Sequence, residues 1–118
     1  MNKARVLVVE DEMLIAFDIA DALADFGWEV VGPVGSVAEA LALLGNEQVD
    51  IAVLDVNLGG TKSYPIADKL AESNVPVLFL TGDRASDVPP GSASSPVLSK
   101  PVDYQVLHQT LRDVAGSR

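Results

Sequence analysis

The stretch Ile51-Ala52-Val53-Leu54-Asp55-Val56-Asn57 runs through four apolar residues without a polar break and then stops at a carboxylate. A strand with one wet face alternates apolar with polar. An unbroken apolar run of this length fits a strand covered on both faces, as in a parallel sheet between helical layers. Asp50 to Leu54 therefore reads as a buried strand that delivers Asp55 at its carboxyl end. The same pattern recurs on either side. Arg5 to Val9 is a buried strand ending at Glu10-Asp11, Glu29 to Val34 is another, Val75 to Leu80 ends at Thr81, and the short Val97 to Ser99 ends at Lys100.

Segments of helical period separate these runs, and strands alternating with helices predict an α/β chain. Met13 to Phe26 reads as a helix with Leu14, Ile15, Phe17, Ile19, Leu23 and Phe26 as its apolar set. Asp18, Asp21 and Asp25 form its solvated face, and Gly27 is its stop. Trp28 and Phe26 are expected at the edge of the core. Ser36-Val37-Ala38-Glu39 is a capping box that opens a helix through Leu44. Ser63 and Pro65 open another, to about Ser73. A last helix follows Asp103, with Tyr104, Leu107, Leu111 and Val114 buried and the single histidine, His108, on its outer face with no assigned role. Between Thr81 and Val97, Pro89, Pro90, Gly91 and four serines oppose helix, so at most one turn is expected there.

The bulk numbers narrow the function. A chain of 118 residues, 48% hydrophobic, is the size of one domain with a real core. No apolar run reaches the roughly 18 residues a membrane span needs, and no secretory signal precedes the first strand; a cytoplasmic location is expected. The absence of cysteine excludes disulfides and thiolate chemistry. Eight basic against seventeen acidic residues give a net charge of −9, which repels nucleic acid.

In a parallel sheet the carboxyl ends of the strands share one edge, where ligands bind. That edge would gather Glu10, Asp11, Asp55, Thr81 and Lys100. Three carboxylates in one volume repel unless a cation joins them. Oxygen ligands without histidine or cysteine suit magnesium. Lys100 adds a compact positive charge and Thr81 a hydroxyl, both suited to phosphoryl oxygens. Glu12 reads as solvating the site, and Met13 as an exposed docking position beside it.

Glu10-Asp11, Asp55-Val56-Asn57, Thr81-Gly82 and Lys100-Pro101, in this order and at strand ends, resemble the motifs of response-regulator receiver domains of two-component signalling. Asn57-Leu58-Gly59-Gly60 with Phe79-Leu80-Thr81-Gly82 is similar to a subclass of single-domain receivers bearing a Phe-Ala-Thr-Gly-aromatic signature. The resemblance covers nearly the whole chain. It implies a flavodoxin-like (βα)5 three-layer sandwich over residues 1–118, sheet order 2-1-3-4-5, with the fourth helix short or disordered.

It further implies that Asp55 is the phosphoacceptor, supplied by a sensor histidine kinase or a histidine phosphotransfer protein and read by a downstream regulator. Magnesium would be held by Asp11, Asp55 and the Asn57 carbonyl, and by Glu10 directly or through water. Thr81 and Lys100 would bind the phosphate, with a cis bond before Pro101. Such a domain is a phosphoacceptor that assists its own phosphorylation and dephosphorylation rather than an enzyme. Glu10 departs from the commoner aspartate of the family, and Leu80 and Asp83 from the alanine and the aromatic residue usual in the subclass. Val97 stands where many receivers carry an inward-packing aromatic residue, so ordering of Asp83 to Ser95 is the expected switch. A receiver fragment of a larger regulator or hybrid kinase is the alternative. A flavodoxin-like cofactor binder ranks last, because Glu10-Asp11-Glu12 stands in place of the phosphate loop a nucleotide or flavin needs, and so does a small phosphatase of the haloacid-dehalogenase type, which would place its nucleophilic aspartate at the first strand and normally carry a cap.

Overall fold

The computed structural model describes residues 3–82 and 95–116. Among the described residues, seven strands and four helices follow one another: β1 (Arg5–Val9), α1 (Met13–Asp25), β2 (Glu29–Val34), α2 (Val37–Leu44), β3 (Ile51–Asp55), β4 (Asn57–Leu58), β5 (Thr61–Lys62), α3 (Tyr64–Glu72), β6 (Val77–Thr81), β7 (Val97–Ser99) and α4 (Tyr104–Gly116). Five of the strands form one parallel sheet in the order β2-β1-β3-β6-β7, the expected 2-1-3-4-5 arrangement. The region expected to hold a short or disordered helix, with Asp83 and the expected switch, falls on residues 83–94, outside the described residues; only Ser95 of that segment is described.

Side chains on a strand alternate between faces, and the unbroken apolar runs divide accordingly. Leu7, Val9, Ala52, Leu54, Val77 and Phe79 pack on one side with Ala40, Ile66 and Leu70 of α2 and α3. Val6, Val8, Ile51, Val53, Leu78 and Leu80 pack on the other with Ile19, Leu23, Leu107 and Leu111 of α1 and α4. Each fully buried Leu or Ile contributes roughly 1.5–3 kcal/mol, and two such layers lock the strand ends in register. That register gathers the functional residues.

Local chemistry sets the element ends. Ser36 Oγ accepts from the Glu39 N–H at 3.1 Å, so the capping box opens α2. α1 stops as Gly27 takes a left-handed φ of 102° and its N–H reaches back to the Ala24 carbonyl. The apolar set assigned to α1 needs correction. Ile19 and Leu23 are buried, but Leu14 is 83% and Phe17 52% exposed. The helix carries more apolar residues than its buried stripe can hold.

His108 is also corrected. Its Nδ1 accepts from the Trp28 indole N–H at 2.9 Å, and its ring stacks on Phe26 at 4.1 Å between centroids. Trp28 is buried at the core edge as expected, while Phe26 remains partly exposed.

Two features were not foreseen. The dipeptide Gly59-Gly60, both at positive φ, closes a small hairpin that pairs Asn57 with Lys62 and Leu58 with Thr61. Two consecutive positive-φ residues are what a two-residue hairpin turn demands. The second feature lies on edge strand β2, where Pro33 follows a cis peptide bond and Gly32 has φ 99°. A Cβ on Gly32 would lie 3.0 Å from Val34 N and 3.1 Å from Val8 O, both backbone atoms. Gly32→Ala is therefore expected to cost about 2 kcal/mol, the range of a non-glycine residue held at unfavourable φ with no room to relax. Urea unfolding followed by circular dichroism checks this. The Val34 carbonyl accepts from Glu10 N–H at 3.0 Å, so the same change disturbs the rim of the sheet.

Candidate functional site

The carboxyl ends of β1, β3, β6 and β7 open on one rim. Asp55, the last residue of β3, is 5% exposed, and Glu10, directly after β1, is fully buried. Lys100 follows β7, its N–H donating to the Thr81 carbonyl at 2.9 Å, so the backbone of β6 aims it. The Lys100–Pro101 bond is cis. From there the ammonium reaches both acids: Lys100 Nζ lies 2.7 Å from Asp55 Oδ2 and 2.5 Å from Glu10 Oε1. The contact with Asp55 is a hydrogen bond. The contact with Glu10 Oε1 is an ion pair at close distance without hydrogen-bond geometry.

The remaining oxygens are held by the backbone. Glu10 Oε2 accepts from the Glu12 N–H at 3.0 Å, and Asp55 Oδ1 from the Asn57 N–H at 3.3 Å. Asp11 is exposed at the mouth of the site. The hairpin turn approaches it: a Cβ on Gly59 would stand 3.7 Å from Asp11 Oδ2. Thr81 ends β6, 3% exposed, in register with Ser99. All the residues assigned from sequence thus lie at this end of the sheet. The Glu12 N–H and the Gly59-Gly60 turn were not assigned; only the Gly-Gly dipeptide had a signal that could have found its feature.

Charge governs the site. Burial alone would lower the Lys100 ammonium, yet the hydrogen bond to Asp55 and the negative charges of Asp55 and Glu10 outweigh it and hold its pKa above the ordinary lysine value. Partial desolvation and the neighbouring Glu10 carboxylate push the Asp11 carboxyl above its usual range. Three carboxylates face one ammonium, leaving an excess of two negative charges when all are ionised. One oxygen from each of Glu10, Asp11 and Asp55 falls within 4.8 Å of the others. An all-oxygen donor set with two uncompensated charges fits a hard divalent cation.

Elsewhere, a cleft of about 980 Å³ lies at the opposite end of the sheet, lined by Arg5, Glu47, Asp50 and Lys69 among others. Its guanidinium is already engaged by Glu29, Glu47 and the Gln48 carbonyl, so the cleft is knit together rather than built to receive a ligand. No helix among the described residues is long and apolar enough to cross a membrane.

The family model for the response regulator receiver domain matches residues 6–112. The chain belongs to that family. Among solved structures, this receiver is similar to SdrG from Sphingomonas melonis Fr1, with 39% identity, a TM-score of 0.82 and 98% of each chain covered. It is also similar to SdrG in a BeF3-activated conformation, with 38% identity, a TM-score of 0.79 and coverage of 98% of this chain and 99% of that one. Among curated proteins it is similar to the transcriptional regulatory protein PdtaR of Mycobacterium tuberculosis. The two are 33% identical over 85 residues, 71% of this chain and 42% of the relative. The receiver spans less than half the length of the curated relatives it matches.

Proposed function

We propose that this receiver accepts a phosphoryl group on Asp55 and signals by phosphorylation-dependent contact with a downstream regulator protein. The observation that carries the reading is the ammonium of Lys100 at 2.7 Å from the Asp55 carboxylate, with Glu10 and Asp11 beside it. The donor would be the phosphohistidine of a sensor histidine kinase or a histidine phosphotransfer protein. A carboxylate oxygen of Asp55 attacks phosphorus, the phosphorus–nitrogen bond breaks, the electron pair leaves with the imidazole, and an acyl phosphate forms. Such a transfer needs positioning and charge neutralisation more than covalent help. Lys100 supplies a fixed positive charge to the transferred oxygens, and the Thr81 hydroxyl a donor that distinguishes the phosphorylated state.

Asp11, Asp55 and the Asn57 carbonyl would hold magnesium, with Glu10 directly or through water. When bound, the ion supplies further neutralisation of phosphoryl charge. The domain acts as an acceptor in the cytoplasm, without nucleic-acid or membrane contact of its own. The BeF3-activated conformation of the similar protein SdrG supports response to a phosphoryl-like group.

The exposed apolar residues Met13, Leu14 and Phe17 on the first turns of α1 begin two residues beyond Asp11. A protein presenting phosphohistidine to Asp55 must cover that rim, and these side chains give it an apolar footing. A second reading, the receiver part of a larger regulator or hybrid kinase, is favoured by the short span of the curated relatives that the chain matches. Both readings use the same chemistry.

Incubation with acetyl phosphate and magnesium, read by intact mass, tests the proposal. A base-labile phosphoryl adduct is expected. Absence of the adduct, together with no spectral response to beryllofluoride, would overturn it.

A further inference from the structure

We propose that Lys62, on the small β4–β5 hairpin, is a further phosphoryl-binding residue of this site and prolongs the phosphorylated state. This rests on the phosphoacceptor reading and adds a residue that the reading does not use. The hairpin places the lysine. Ser63 N–H donates to the Val56 carbonyl at 3.0 Å, so the next pair towards the turn, Asn57 with Lys62, is a non-hydrogen-bonded one. Side chains of such a pair share one face and stand at their closest approach. Val56, Leu58 and Ser63 are buried on the other face, which turns Asn57 and Lys62 outward. Asn57 N–H donates to Asp55 Oδ1 at 3.3 Å, and a Cβ on Gly59 of the turn would stand 3.7 Å from Asp11 Oδ2. Lys62 is thus the cross-strand neighbour of the residue that bonds the phosphoacceptor, at the mouth of the site.

Its charge is uncommitted. Lys62 is half-buried and makes no ion pair among the described residues. The chain has four lysines. Lys3 and Lys69 line the cleft at the opposite end of the sheet, and Lys100 is engaged by Asp55 and Glu10. Charge balance gives Lys62 a task. Before transfer, the three negative charges of Glu10, Asp11 and Asp55 are matched by Lys100 and a divalent cation. An acyl phosphate on Asp55 carries close to two negative charges in place of one. The phosphorylated site is then short of one positive charge. The Lys62 ammonium, on its flexible four-carbon stem, closes on a phosphoryl oxygen from the hairpin side. Loss of the group requires water to attack phosphorus while the phosphorus–oxygen bond breaks and the Asp55 carboxylate leaves. A lysine folded over the mouth crowds the approach of that water.

Decay of the phosphoryl adduct tests this. Wild type and Lys62→Met, which keeps the aliphatic stem, are labelled with acetyl phosphate and magnesium, desalted, and followed by intact mass. Lys62→Met should lose the adduct about threefold faster and bind beryllofluoride about threefold more weakly, the scale of a partly exposed ion pair. Lys62→Arg should restore both. Magnesium binding to unphosphorylated Lys62→Met should be unchanged or tighter, because the substitution removes a nearby cation; a merely structural role of the lysine would loosen it. In the wild type, the Lys62 side-chain carbon and proton resonances should shift with beryllofluoride and not with magnesium alone. Unchanged decay and beryllofluoride affinity in a Lys62→Met protein that circular dichroism shows to be folded would overturn the proposal, and so would failure of Lys62→Arg to restore them. A wild type that takes up no phosphoryl group and gives no response to beryllofluoride would instead sink the phosphoacceptor reading.

Discussion

Asp55→Asn should take up no phosphoryl group from acetyl phosphate under conditions where the wild type is labelled, while remaining folded. The amide cannot attack phosphorus, because its nitrogen lone pair is delocalised and its oxygen carries no formal charge. Among the described residues, no neighbour is placed to substitute. Both oxygens of Glu10 are occupied by Lys100 and the Glu12 N–H, and Asp11 lies at the exposed mouth rather than at the end of a sheet strand. The fold should tolerate the change because Asn is isosteric and its carbonyl can still accept from Asn57 N–H, as Asp55 Oδ1 does at 3.3 Å. Lys100 keeps Glu10 as its counter-ion. Intact mass gives the uptake and circular dichroism the fold. A labelled Asp55→Asn protein would move the acceptor to another residue.

How much of this could be read before the coordinates depends on which interactions are local in sequence. The β3 strand announced itself because both its faces are covered, so Ile51 to Leu54 could all be apolar. Its ending at Asp55 was visible for the same reason: a carboxylate there has no packing purpose. The convergence of Glu10, Asp11, Asp55 and Lys100 followed from strand direction alone, since parallel strands end on one side.

Other features escaped for physical reasons. That Leu14 and Phe17 of α1 lie outside the core was not legible, because periodicity counts apolar residues and does not show which of them the buried stripe has room to cover. His108 looked inert because Trp28, its hydrogen-bond donor, is 80 residues away in sequence and no local pattern links them. The Gly59-Gly60 turn was legible by its dipeptide and simply not used. The commitment of Glu10 to a lysine 90 positions later belongs to the tertiary fold.

Lys100→Met should destabilise the metal-free protein by about 3 kcal/mol, the lower end of what removing one member of a buried ion pair costs. The lysine side chain is 19% exposed, while the side chains of its partners Glu10 and Asp55 are 0% and 7% exposed. Methionine matches the length of the aliphatic stem, so packing is largely kept and the loss is electrostatic. Two buried carboxylates then face each other with Asp11 alongside. Magnesium supplies what the substitution removed. A cation that binds the folded state and not the unfolded one stabilises it by mass action. Magnesium should therefore raise the urea midpoint of Lys100→Met more than that of the wild type, whose site already holds one positive charge. Glu10→Gln introduced into Lys100→Met should recover part of the lost stability, because it removes one of the two carboxylates left unpaired; on its own it should destabilise, by stripping the lysine of a partner. Opposite signs in the two backgrounds, measured by urea unfolding without added metal, are what a direct Glu10–Lys100 coupling requires. Equal losses in both would mean that the two residues act separately.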